Sequence, residues 1–157
     1  MILRASLPRT RSLSGTLHLL GDHENILWGP VPCFGKADNE GAANHDNPTR
    51  DPLYAYGDHP SGQYRITAWV PTGTDPEEIR KYGASGKLVL DPLHGQALGA
   101  KQNGRFGLLI HGGAIGGPYV YGFRPTYGCL RLLNDDMASL VVQHRELKFT
   151  EYAAVEI

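Results

Sequence analysis

Glycine and proline set the first limit on what this chain can become. Glycine (20) and proline (11) together supply 31 of its 157 residues. Glycine costs backbone entropy inside a helix and proline removes a donor there, so a helix bundle is a poor solution for such a sequence. Turns and strands should dominate, and a mainly β fold is expected. Hydrophobic residues at 41% suffice for one ordinary core, and a charged fraction of 20% with a net charge of −1 is far from a disordered composition. No internal repeat or linker interrupts the chain, so residues 1–157 read as one domain.

The local patterns place the elements. LSGTLHLL at 13–20 alternates loosely and reads as a first strand; Ile26 to Val31 reads as a second, ended by Pro30 and Pro32. Residues 35–62 hold Gly, Asn, Asp and Pro in quantity and read as a long irregular surface loop, either functional or a tolerated insertion. In QYRITAWV, 63–70, Tyr64, Ile66, Ala68 and Val70 alternate with polar neighbours, the period of a half-buried strand. A short helix follows, capped by Thr74 or Asp75, with Pro76, Glu77 and Glu78 in its first turn and Gly83 as its stop. KLVL at 87–90 and FGLLIH at 106–111 are further strands. The best helix is 134–147, capped by Asn134 or Asp135, and KFTEYAAVEI closes the chain as a strand.

Several functions are disfavoured. Lys+Arg 15 against Asp+Glu 16 gives no basic excess for general nucleic-acid binding. No run approaches the ~18 apolar residues of a membrane span. The opening MILRASLPRTRSLSG has basic residues but no apolar run after them, so it does not read as a secretory signal. A cytoplasmic chain, another export route and prior removal of a leader all fit. Two cysteines, Cys33 and Cys129, do not make a disulfide scaffold. His45, Asp46 and His59 match no standard metal-ligand spacing, and no metal is expected.

Chemistry concentrates in FGLLIHGGAIGGPYVYGFRPTYGCLRLL, 106–133. His111 ends an apolar strand, and Cys129 follows Gly128 after a connection rich in glycine, which can turn the chain back to the strand end. A thiol of pKa ~8.5 needs a base or a cation to become a nucleophile. A histidine supplies either, and exposed backbone amides beside a glycine can hold an oxyanion. No carboxylate lies near in sequence, so a backbone carbonyl after His111 is the candidate to orient it. Cys33, between Pro32 and Phe34, reads as structural, and His94 and His144 as ordinary surface or packing residues. Tyr119, Tyr121 and Phe123 either pack or line a groove over Cys129.

IHG at 110–112 followed by TYGCLRL at 126–132 resembles the signature of the L,D-transpeptidase (YkuD-like) catalytic domain, and GDHPSGQYRI at 57–66 is similar to that family's segment at the start of a strand. The likeness covers about 57–142. It implies a β-sandwich of mixed sheets with one or two short helices. It also implies Cys129 as the acylated nucleophile, His111 as its base, and Gly112 as the carbonyl that orients His111. Amides of Tyr127, Gly128 and Cys129 would hold the oxyanion, Thr126 would fix the turn, and Arg131 would brace the loop or meet a substrate carboxylate. Tyr127 stands where many members have a second histidine, and His59 where threonine is usual.

By this resemblance the substrates are peptidoglycan stem peptides. The thiolate attacks the L-centre carbonyl next to a terminal D-Ala, and the thioester passes to an amine (transpeptidation or D-amino-acid exchange) or to water (carboxypeptidation), without metal or organic cofactor. The site of action would be the periplasm or cell envelope. An antibacterial effector, delivered into a rival and met there by a secretion or immunity partner, is the alternative; a catalytically inactive wall-binding module is a lesser one.

Overall fold

Eight strands account for most of the regular backbone, and they close on one another. The computed structural model describes residues 1–157. The strands are β1 (Ile2–Leu7), β2 (Gly15–Leu20), β3 (Ile26–Phe34), β4 (Gly62–Val70), β5 (Lys87–His94), β6 (Leu109–His111), β7 (Leu130–Leu132) and β8 (Glu151–Glu156). They form a closed barrel in the order β1-β2-β3-β7-β6-β5-β4-β8. Pairing is antiparallel except for β1 with β8 and β6 with β7, so the sheet is mixed. The mainly β character matches the expectation. The strands form one continuous ring, and two facing sheets are not seen. Four helices are present where one or two were expected: α1 (Asn39–Ala43), α2 (Pro76–Tyr82), α3 (Gly95–Gln102) and α4 (Asn134–Leu147).

Alternation fills the ring. Leu3, Ala5 and Leu7 of β1, Leu17 and Leu19 of β2, Leu88 and Leu90 of β5, Ile110 of β6, and Leu130 and Leu132 of β7 share one buried cluster with Tyr64 and Tyr152. Met137, Leu140 and Val141 of α4 join the same cluster, so one stripe of the best-read helix supplies the core. Each such aliphatic side chain contributes ~1.5–3 kcal/mol by burial.

Local readings differ at four places. β1 is a strand where no strand was expected; it pairs with β2, the next strand in sequence, and with β8 at the far end of the chain. β3 continues through Pro30 and Pro32 to Phe34. Of β3, β7 reaches only Cys33 and Phe34, so one edge of the preceding residues is unpaired and proline is tolerated. In β4, Tyr64 and Ile66 are buried but Ala68 and Val70 are exposed, because the pairing with β5 shifts register between Ile66 and Ala68. Residues 35–62 carry little regular structure but do not lie wholly on the surface. They include α1, and Lys36, Ala37, Ala42, Asn47 and His59 are buried.

Candidate active site

Strand register decides which side chains meet. β6 and β7 run parallel, with Ile110 opposite Leu130 and His111 opposite Arg131. Ile110, Leu130 and Leu132 enter the core. Alternation therefore turns His111 and Arg131 to the outer face of the barrel, and Cys129, two residues before Arg131, lies on that side. α2, the 112–128 connection and the 35–58 segment roof this face, leaving a cleft of about 880 Å3. Cys129, His111, Arg131, Thr126, Tyr127 and Tyr82 are among its lining residues. The pair singled out in the sequence thus shares one cavity.

His111 is almost wholly buried, 2% exposed. Its Nδ1–H donates to the Gly112 carbonyl at 2.6 Å, which fixes the tautomer and leaves Nε2 as the basic nitrogen. Burial, with Arg131, Lys87 and Lys81 nearby, pulls its pKa down to about 4 against the Gly112 bond. Cys129 is half-buried and unbridged. Its Sγ–H donates weakly to the Gly107 carbonyl at 3.7 Å, and no hydrogen bond joins it to His111. Burial raises the thiol pKa; a bond from the Leu109 backbone and the charges of Arg105, Arg131 and Lys81 oppose it. The pair rests as thiol and neutral imidazole.

The turn before Cys129 is tightly held. Thr126 Oγ1 donates to the Cys129 carbonyl at 2.9 Å and accepts from the Gly128 N–H at 3.0 Å. That commits the Gly128 amide, one of the three expected oxyanion donors. The Tyr127 and Cys129 amides have no loop or side-chain partner. Gly128 sits at φ +110°, and a Cβ there would lie 1.8 Å from Arg105 Nη2 and 2.5 Å from the Gly57 oxygen, so only glycine fits.

Arg131 donates from Nη1 to the Ala114 carbonyl at 3.1 Å and bridges to no carboxylate; its Nε is buried without a partner. Burial lowers its pKa to about 10. It braces the loop after His111, approaching Gly113 so closely that a Cβ there would lie 2.4 Å from Nη1.

Three supporting residues escaped the sequence reading. Arg105 donates to the carbonyls of Pro52, Asp58, Gly57 and Tyr127 and so ties the 52–58 segment to the turn before Cys129. It follows Gly104 in a stretch with no periodicity, and nothing local marks it. His59 donates from Nδ1 to the Gly128 carbonyl at 2.8 Å and accepts at Nε2 from the Tyr152 hydroxyl at 3.0 Å. It is fully buried, and burial drives its pKa to about 3. Its odd place in the motif was the only signal. Asn134, expected as a helix cap, is instead the first residue of α4 and binds both the N–H and the C=O of Gly113.

The remaining candidates are occupied elsewhere. His45 stacks on Tyr56 with ring centroids 3.6 Å apart, His59 has both nitrogens engaged, and no group of three His, Cys, Asp or Glu gathers to hold a metal. Tyr119 and Phe123 pack on Phe34, Tyr121 is exposed, and none of the three lines the cleft, so they pack and do not roof Cys129. Cys33 is fully buried, and burial pushes its thiol to about 12. His94 is exposed before α3, and His144 packs on Phe149. No helix is long and apolar enough to cross a membrane. Compared with known proteins, the chain matches no protein-family model and no curated protein.

Proposed function

We propose that this chain is a cysteine acyltransferase of the L,D-transpeptidase type, acting on peptidoglycan stem peptides in the cell envelope. The observation that carries the reading is that Cys129, the residue before β7, and His111, the last residue of the parallel neighbour β6, line one cleft, with His111 Nδ1 tied to Gly112 so that Nε2 is left as the proton acceptor. A thiol, a base of defined tautomer and unpaired amides are the parts that acyl transfer requires.

The reaction starts with the Cys129 side chain turning from Gly107 toward Nε2, which takes the thiol proton. The thiolate adds to the donor carbonyl next to the terminal D-Ala, and the oxyanion is held by the Tyr127 and Cys129 amides. A donor of this kind typically contributes about 3–4 kcal/mol. The intermediate collapses by breaking the bond to D-Ala, whose nitrogen receives the proton from Nε2, and a thioester remains. An amine or water then attacks the thioester, gives its proton to Nε2, and releases the Cys129 thiolate for reprotonation. The cleft wall carries Arg80, Lys81, Arg105, Arg124 and Arg131 against Asp38, Glu77 and Glu78, an excess of cations that suits a donor rich in carboxylates.

The test is mass spectrometry of muropeptides incubated with the protein. Loss of D-Ala, 3→3 dimers and exchanged D-amino acids each leave a different mass. Unchanged muropeptides across donor compositions, with folded protein, would overturn the reading. A carbapenem should acylate Cys129 and spare Cys33.

A further inference from the structure

Aromatic and cationic side chains gather around His111. The Tyr82 ring, at the end of α2, meets the imidazole edge to face, with centroids 5.1 Å apart and planes at 87°. On the same tyrosine, Lys87 Nζ lies 3.9 Å from the ring centroid and Lys81 Nζ 5.1 Å from it. Lys87 is also the register partner of His111 across β5 and β6. Arg131 is its register partner on the other side. Partners in register project to one face, so a row Lys87–His111–Arg131 crosses three strands with the base in the middle.

We propose that Tyr82 and Lys87 are positioning residues for His111. Tyr82 fixes the plane of the imidazole, and the Lys87 ammonium, seated on Tyr82 and paired with His111 across the sheet, keeps that imidazole uncharged. Neither residue touches the reacting atoms. Hydrogen bonding holds the ring only at Nδ1, through the Gly112 carbonyl. Rotation about that bond would carry Nε2 away from the thiol, and the Tyr82 ring blocks it.

The charges around the imidazole come from each neighbouring element: Lys87 from β5, Arg131 from β7, and Lys81 from α2, all of which disfavour its protonation. The acidic residues on the cleft wall are Glu77 and Glu78 in the first turn of α2, and Asp38 from the 35–58 segment. None of them forms an ion pair with Lys81, Lys87 or Arg131. The cations are therefore uncompensated. A base buried among them stays unprotonated well into the acid range, and the same cations make it a weaker proton acceptor.

The proposal deepens the acyltransfer reading, but its test needs no substrate. The ring signals of His111 are followed by NMR from pH 3 to 8 in the wild type and in Lys87→Met, Tyr82→Phe and Tyr82→Leu. The wild type should titrate near pH 4. Lys87→Met should raise the midpoint by about half a pH unit or more, because one facing cation is gone. Tyr82→Phe should keep the wild-type midpoint and ring shifts, whereas Tyr82→Leu should move both. An unmoved midpoint in Lys87→Met overturns the electrostatic half, and Tyr82→Leu with wild-type ring shifts overturns the positional half. If Tyr82→Leu fails to fold, Tyr82→Phe with altered ring shifts overturns the positional half. Where a turnover assay exists, Tyr82→Leu should lower kcat with KM held. Absent turnover with the expected titration would refute the reaction and leave the positioning intact.

Discussion

Gly128 is the residue on which the turn before Cys129 depends. Its positive φ and the contacts its missing Cβ leaves open to Arg105 and Gly57 make Gly128→Ala costly on two counts. Urea unfolding should show a loss of about 3 kcal/mol or more. Cys129→Ala removes a half-buried sulfur and should leave stability within about 1 kcal/mol of the wild type while abolishing acyl transfer. His111→Ala should slow that transfer by about 10²–10⁴-fold, the usual worth of a general base. That Cys129 and His111 share one cleft was legible in IHG at 110–112 and TYGCLRL at 126–132, because a glycine-rich connection can return the chain to the strand end. His59 and Arg105 were not, since each acts through partners far away in sequence, His59 on Gly128 and Arg105 on residues 52–58.

At the scale of elements, the sequence told most where one element carries its own signal. The bounds of α4 agree with its periodic stripe, and α2 follows its Asp75 cap and Pro76 start. β1 was missed although Leu3, Ala5 and Leu7 alternate with Arg4 and Ser6, and the far end of β3 was missed because its pairing with the distant β7 outweighs the local proline signal. Residues 35–62, expected as an irregular surface loop, are partly buried because their partners lie elsewhere: Asp58 accepts from the Ala37 N–H, Asp38 N–H donates to Thr126, and Arg105 collects the carbonyls of Pro52, Gly57 and Asp58. Arg105→Ala should therefore raise amide hydrogen exchange in both 52–58 and 126–129 while leaving the barrel strands protected. The Asn134 clamp on Gly113 is of the same kind. Asn134→Ala should cost about 1–2 kcal/mol, as buried hydrogen-bonding groups lose their partner, and should lower activity beyond what stability explains.

Across the whole molecule, the barrel interior and the site are separate: aliphatic side chains fill the ring, and the reactive pair occupies its outer face under a roof of loops and α2. The same architecture ties stability to pH. His59 and His111 are buried neutral, with pKa values near 3 and 4, below the ordinary 6.5 of the unfolded chain. The unfolded chain thus binds more protons between these limits, so the stability these groups supply is complete above about pH 6.5 and is lost as pH falls toward 3. Denaturant titrations should show a decline of roughly 1.4 kcal/mol per pH unit for each histidine across that window. Substitution of His59 by Asn should remove its share of the slope. The central claim, that Cys129 carries the acyl group, is tested most directly by intact-mass spectrometry of the protein mixed with a stem tetrapeptide ending in D-Ala, followed by digestion. The account predicts one adduct equal to the donor less D-Ala, on the peptide containing TYGCLR, and none in Cys129→Ala. An adduct on Cys33, or full turnover by Cys129→Ala, would contradict it.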